Sequence, residues 1–171
     1  MYYDDDPSVI VIYDYDSETN GENTGKCSWE YCDSDYSIQL IAPTLYDEYD
    51  SCYDDMMTAI EIGRRAPVYF EGKALFKTRR KKGRFELFYW GDGWGFYLVD
   101  DQGKLIGVSA ELYETQEKAL SAAAGISENI NKGEYHYLNY KWHEDHPRSD
   151  EWREVFMKQW KRIHEAAEED T

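Results

Sequence analysis

The stretch WGFYLVDDQGKLIGVSAELY, residues 94–113, most narrows what this chain can fold into. It alternates like a strand, turns at Asp101-Gln102-Gly103, and alternates again. That pattern reads as two paired strands with one apolar face. A lone hairpin is marginal in water, so neighbouring segments must complete a sheet. RFELFYW (84–90) is a third strand, joined through the tight turn Gly91-Asp92-Gly93. TQEKALSAAAGISENI (115–130) is a helix with Ala119, Ala122, Ala123, Ile126 and Ile130 on one stripe. EYHYLNYKW (134–142) is a strand again. The order is β-β-β-α-β.

The same order precedes it. SVIVIYDY (8–15), KCSWEYC (26–32) and YSIQLIA (36–42) read as strands, the last ended by Pro43. DSETNGENTG (16–25) is a polar loop. DSCYDDMMTAIEIGRR (50–65) reads as a helix. Its Ser51 and Asp54 stand near capping-box spacing, Tyr53, Met56, Met57 and Ile60 share a face, and Gly63 is a stop. PVYFEGKALF (67–76) reads as one strand. Trp29 and Trp94, Leu40 and Leu105, and Ile41 and Ile106 are each 65 residues apart, which sets the expected register between the halves. A last helix follows Pro147, capped by Ser149 or Asp150, with Trp152, Val155, Phe156, Trp160, Ile163 and Ala167 on its apolar stripe. The terminal EEDT is expected to fray.

The expected fold is therefore α+β. Two tandem β-β-β-α-β repeats form a shared antiparallel sheet with helices packed on one face, plus a C-terminal helix. The segments are 1–76 for the acidic first repeat, 77–84 for a basic linker, 85–142 for the second repeat and 143–171 for the C-terminal helix. The other sheet face is expected to be aromatic, and free for a partner or for the last helix.

RFELFYWGDGWGFYLVDDQGKLIGVSAELYETQEKALSAAAGI resembles the YegP-like family of small uncharacterised bacterial domains. Phe85, the Trp94-x-Phe96-x-Leu98 strand, Gly103, Ile106, Ser109, Tyr113, Ala119 and Ile126 carry the resemblance. A more divergent copy spans 8–76. The resemblance implies β(3)-α-β units, often in tandem, that build one sheet with exchanged last strands. It supplies no catalytic residues. The chain departs from the family by one inserted residue between Ser109 and Tyr113, by the glycine spacing of its helix, and by the acidity of its first half.

That acidity is concentrated. Of a net charge of -16, residues 1–55 carry -14: 15 acidic residues against Lys26 alone. Residues 64–84 carry +8. Such a balance bears on partners and disfavours direct contact with nucleic acid or anionic lipid. With 16 Tyr and 6 Trp the chain is too rich in rings for a disordered acidic tail. Asp14, Asp16, Asp33, Asp35, Asp47, Glu48, Asp50, Asp54 and Asp55, interleaved with Tyr46 and Tyr49, form the candidate partner-binding face. Carboxylates at that density can imitate duplex DNA, which carries one charge per roughly 1.7 Å. The expectation is a non-enzymatic protein-binding module whose partner is another protein with a basic surface. Its concrete form is an inhibitor, encoded by a phage or mobile element, that blocks a nucleic-acid-handling defence enzyme. The alternative is a housekeeping domain of the YegP-like type that binds a small ligand or partner through its aromatic sheet face, with the acidity serving solubility.

Other candidates carry less. DSETNGENTG offers oxygen ligands but not the EF-hand spacing. Cys27, Cys32 and Cys52 lack zinc spacing and read as reduced thiols, with Cys27 and Cys32 facing opposite sides of a strand. His143 and His146 in HEDHP read as loop residues. KTRRKKGR (77–84) reads as a solvated linker or a counter-charge to the acidic half. No phosphate-binding loop, nucleophile elbow or metalloprotease motif occurs. No cofactor and no metal are expected. No 18-residue apolar run is present, and MYYDDDPSV lacks the regions of a signal peptide. A cytoplasmic protein of a bacterial or phage-infected cell is expected, as a monomer or a strand-exchanged dimer.

Overall fold

The structure, a computed structural model, describes residues 8–14, 25–35, 37–79, 82–138 and 150–169. The chain forms β1 (Val9–Asp14), β2 (Cys27–Cys32), β3 (Ile38–Ile41), α1 (Tyr49–Gly63), β4 (Val68–Phe70) and β5 (Lys73–Phe76). It continues with β6 (Gly83–Trp90), β7 (Gly93–Asp100), β8 (Leu105–Ser109), α2 (Gln116–Asn129), β9 (Glu134–Leu138) and α3 (Asp150–Glu169). All nine strands join one sheet in the order β5-β4-β6-β7-β8-β3-β2-β1-β9. The meanders β1-β2-β3 and β6-β7-β8 meet where β3 pairs antiparallel with β8. The strand following α1 lies beside β6, and the strand following α2 lies beside β1.

The sheet is mixed rather than antiparallel throughout, because β1 pairs with β9 and β4 with β6 in parallel. Short hairpins force antiparallel pairing within each meander, whereas strands joined through a helix or a long connection are free to run parallel. The segment 67–76 is two strands rather than one. Glu71 and Gly72 both adopt positive φ, +49° and +82°, which makes a two-residue hairpin turn between β4 and β5.

Both meanders carry the same irregularities at a spacing of 67 residues. A bulge falls between Tyr31 and Cys32 and again between Leu98 and Val99. Asp33 accepts from the amides of Asp35 and Ser37, and Asp100 from those of Gln102 and Lys104. The isolated bridges Cys27–Tyr46 and Trp94–Tyr113 correspond. So do the buried helix positions Cys52 and Ala119, Met56 and Ala123, Ala59 and Ile126. The register is thus 67, and the 65-residue matches are coincidences of letters. Leu40 lies under the helices while Leu105 packs on the opposite face. The bulges set this register, and bulges leave no mark in hydrophobic alternation.

α1 and α2 cover one face of the sheet. Trp29, Phe85, Phe96 and Leu98 are fully buried there with Met56, Ala59, Ala123 and Ile126. The inward stripe of α1 is Cys52, Met56, Ala59 and Gly63, while Tyr53 and Met57 face out. The helix also starts before Ser51. Glu48 occupies the cap position without a side-chain bond, so no capping box forms. In α2 the Thr115 hydroxyl does cap, accepting from Lys118 N at 3.1 Å.

α3 packs on the other face, so the aromatic surface of β6–β8 is occupied by the chain itself. Phe156 is buried against Ile41 and Val108, ringed by Phe88, Trp90, Tyr97, Trp152 and Trp160. Val155, expected on the apolar stripe, is half exposed. The side chains of Ile163 and Ala167 lie outside the described ones. No helix among the described residues is long and apolar enough to cross a membrane.

Gly83 opens β6 in a tight space. A Cβ there would lie 2.4 Å from Ile62 Cγ2 and 2.5 Å from the Val99 carbonyl oxygen. Backbone cannot yield as a side chain can, so Gly83→Ala is expected to cost about 1–3 kcal/mol, read by urea unfolding. A neutral substitution would mean that the β6–β7 pair is looser than described.

Candidate functional site

The parallel register places Tyr135 beside Ile10 and Tyr137 beside Ile12, so both tyrosines share the helix-covered face. Because β9 is the edge strand, they lie at the rim of that face, where α1 brings Tyr49 and Tyr53. The four rings form one cluster. Tyr49 stacks on Tyr53 at 6.0 Å and meets Tyr137 at 5.3 Å, and Tyr53 meets Tyr135 edge-on at 5.7 Å. The Tyr49 and Tyr135 hydroxyls share a hydrogen bond, and the Tyr137 hydroxyl donates to Asp14. All four remain 37–51 % exposed. A large, partly wet aromatic cluster of this kind is a feature of contact surfaces rather than of cores.

Carboxylates surround it. Asp50 and Asp54 are exposed on α1, with Asp47 and Glu48 at its start. Lys26 stands 3.9 Å from Asp47. Tyr46 is nearly buried and donates to Asp55 Oδ2 at 2.8 Å, a structural bond that leaves little of either residue for a partner. Asp33 and Asp35 do not join this group. Asp14 pairs with Cys27, while Asp33 follows the other end of β2, so roughly 17 Å of strand separates them. Asp33 is also spent on its own turn, accepting from Asp35 N, Ser37 N and Gln39 Nε2 at 2.9, 3.0 and 3.2 Å. Asp16, His143 and His146 lie outside the described residues. Tyr53, Tyr135 and Tyr137 are absent from the candidates drawn from sequence, although the Tyr135-x-Tyr137 alternation and the four-residue step from Tyr49 to Tyr53 were visible there.

The Asp14 carboxylate that accepts from Tyr137, with burial adding to it, pushes this tyrosine from 10.0 up to about 12. The folded value is raised, so the stabilisation is complete below pH 10 and is lost as pH rises through about 12. In Asp14→Asn, ultraviolet titration is expected to show one late-ionising tyrosine returning toward the ordinary range. An unchanged titration curve would contradict the bond.

Cys27 and Cys32 do face opposite sides of β2. All three cysteines are buried and unpaired, and burial pushes their thiols up, which suppresses reactivity. No group of three or more metal-ligating side chains occurs among the described residues. In the basic run, Lys82 pairs with Glu61 on α1 and Arg84 with Glu86, while Arg80 and Lys81 lie outside the described residues.

A second concavity of about 720 Å3 runs along the flank of α2. Ser121, Ala122 and Gly125 line its middle, with Lys118 and Lys132 toward its ends and Tyr31, Gln39 and Tyr113 opposite. A Cβ on Gly125 would meet nothing within 4 Å. Packing therefore does not require this helix-interior glycine, and Gly125→Ala is expected to raise stability by about 1 kcal/mol, read by chemical denaturation.

No protein-family model matches the chain, and no curated protein does. Two solved structures share its fold. The solution NMR structure of the UPF0339 protein from Shewanella oneidensis is 12% identical with a TM-score of 0.54, covering 81% of this chain and 98% of its own. That of YegP from E. coli, a protein of unknown function, is also 12% identical with a TM-score of 0.52, covering 78% and 95%. The fold is thus of the YegP-like class, an α+β architecture with one large mixed sheet.

Proposed function

We propose that this chain is a non-enzymatic binding module whose acidic tyrosine face takes up a basic surface of another protein. The observation that carries this reading is the half-exposed cluster of Tyr49, Tyr53, Tyr135 and Tyr137 beside Asp14, Asp50 and Asp54. Arginine and lysine bind over aromatic rings and pair with carboxylates. Tyrosines offer large contact area at low entropic cost. The concrete partner is a nucleic-acid-handling protein whose basic groove the carboxylates occupy, as an inhibitor carried by a phage or mobile element would do. The charge of -16 supports a basic partner over nucleic acid itself.

The same reading takes the chain as two copies of one β(3)-α-β unit. The shared 67-residue register and the symmetric strand order support it. Each exchanged last strand finds its neighbour within the chain, which favours a monomer.

The test is a pull-down from nuclease-treated bacterial lysate with wild type, Asp50→Lys/Asp54→Lys, Tyr49→Ser/Tyr137→Ser and, as a distant control, Asp35→Lys. One basic partner, released by high salt and lost in both double variants but kept by Asp35→Lys, is expected. Equal retention by all four proteins would sink the proposal.

A further inference from the structure

The groove beside α2 is a second site, separate from the acidic face. We infer that it binds a small organic anion bearing hydroxyl or amide groups, of the class of a sugar phosphate or a mononucleotide. Three observations lead there.

The first is what fills the corresponding place on α1. At the 67-residue spacing, Tyr113 corresponds to Tyr46, Ala122 to Asp55, Gly125 to Thr58 and Asn129 to Ile62. Under α1 the space is closed: Tyr46 bonds Asp55, and Ile62 presses on Gly83. Under α2 the carboxylate is replaced by Ala122, the isoleucine by Asn129 and the threonine by Gly125, which together leave about 720 Å3 open. The fold does not demand the groove, since its other half does without one. The residues of α2 create it.

The second is the state of Tyr113. Its counterpart Tyr46 has a bond of 2.8 Å, but the Tyr113 hydroxyl reaches only Gln39 Oε1, at 3.4 Å. A partly buried hydroxyl with so long a bond is ready to exchange it for a ligand oxygen.

The third is charge and size. In a chain of -16, this groove carries Lys118 and Lys132 against Asp33, whose oxygens the β2–β3 turn already occupies. Lys118 shares its charge with Glu114 at 3.1 Å on the solvent side. Lysine suits phosphate or carboxylate as a point charge. Ser8, Ser34, Ser121, Gln39 and Asn129 supply donors and acceptors for hydroxyl groups. The volume falls in the usual range for small-molecule sites.

The experiment is an amide NMR titration of the full chain with glucose 6-phosphate and AMP, each against its neutral parent, glucose and adenosine. Either phosphate compound is expected to shift amides over 118–132 and at Tyr113 at millimolar concentration, with the neutral parent weaker. Gly125→Phe, whose ring would lie in the open groove, is expected to abolish the shifts. Lys118→Gln/Lys132→Gln alters only exposed ends of the groove, and is expected to weaken binding about tenfold. No shifts with either anion, shifts outside the groove, or equal binding of the neutral parents would overturn the assignment. So would full binding by the double lysine variant.

Discussion

Phe156→Ala is expected to cost about 3–5 kcal/mol of unfolding free energy, the largest effect of any single truncation on the outer face. Phe156 is 2 % exposed and central to the contact between α3 and the sheet. Five aromatic rings stand 5.7–6.4 Å from its own, contributed by β6, β7 and α3 itself. Such a cage cannot collapse onto a methyl group, because each ring is held by the others, so the cavity stays. The companion variant Phe156→Leu keeps much of the volume and is expected to lose clearly less. Urea unfolding followed by tryptophan fluorescence reads both, since Trp90, Trp152 and Trp160 border the site. A loss below about 1 kcal/mol for the alanine variant would mean that α3 does not dock where described.

Arg153→Met is expected to cost about 3 kcal/mol, for a different reason. Arg153 is 6 % exposed, one turn before Phe156 on α3. Its Nε donates to the Ala42 carbonyl at 2.8 Å, and its Nη2 to the Tyr13 hydroxyl at 3.0 Å and Ser28 Oγ at 3.4 Å. Tyr13, Ser28 and Ala42 are fully buried, so removing the guanidinium strands acceptors that water cannot reach. Arg153→Lys is expected to recover only part, because one ammonium cannot reproduce the fork. If Arg153→Met unfolded at the wild-type urea midpoint, those bonds would contribute nothing net. The two truncations release the same helix, so their combined loss should fall short of the sum.

Periodicity carried most of the elements. β1, β2, β3 and β6–β8 fall within a residue or two of their expected ranges, because alternating apolar residues on a sheet buried on both faces leave a strong period-2 signal. The β4–β5 turn was not legible, since Glu71 in a left-handed conformation is unusual and PVYFEGKALF otherwise reads as continuous. The α1 face was read one residue off. The tyrosine and methionine at 53 and 57 looked like core, but smaller Cys52 and Ala59 face inward, where the sheet lies close. The candidate face was half legible. Charge counting found Asp14, Asp47, Glu48, Asp50 and Asp54 together, but it added Asp33 and Asp35, which β2 carries to its far end. The tyrosines of β9 were out of reach for counting, because they arrive from more than 80 residues away along the chain.

The sequence by itself determined the element order, the core-facing residues of the strands, the YegP-like class and the concentration of charge. These follow from local spacing, and local spacing is written in the chain. Only the tertiary structure decided that β9 adds parallel to β1, that α3 closes the aromatic face, that four tyrosines gather at one rim, and that α2 leaves a groove where α1 does not. Each of these depends on which distant segments become neighbours. That choice is made by the summed burial of the whole sheet and by bulges that set its register, neither of which a single segment carries.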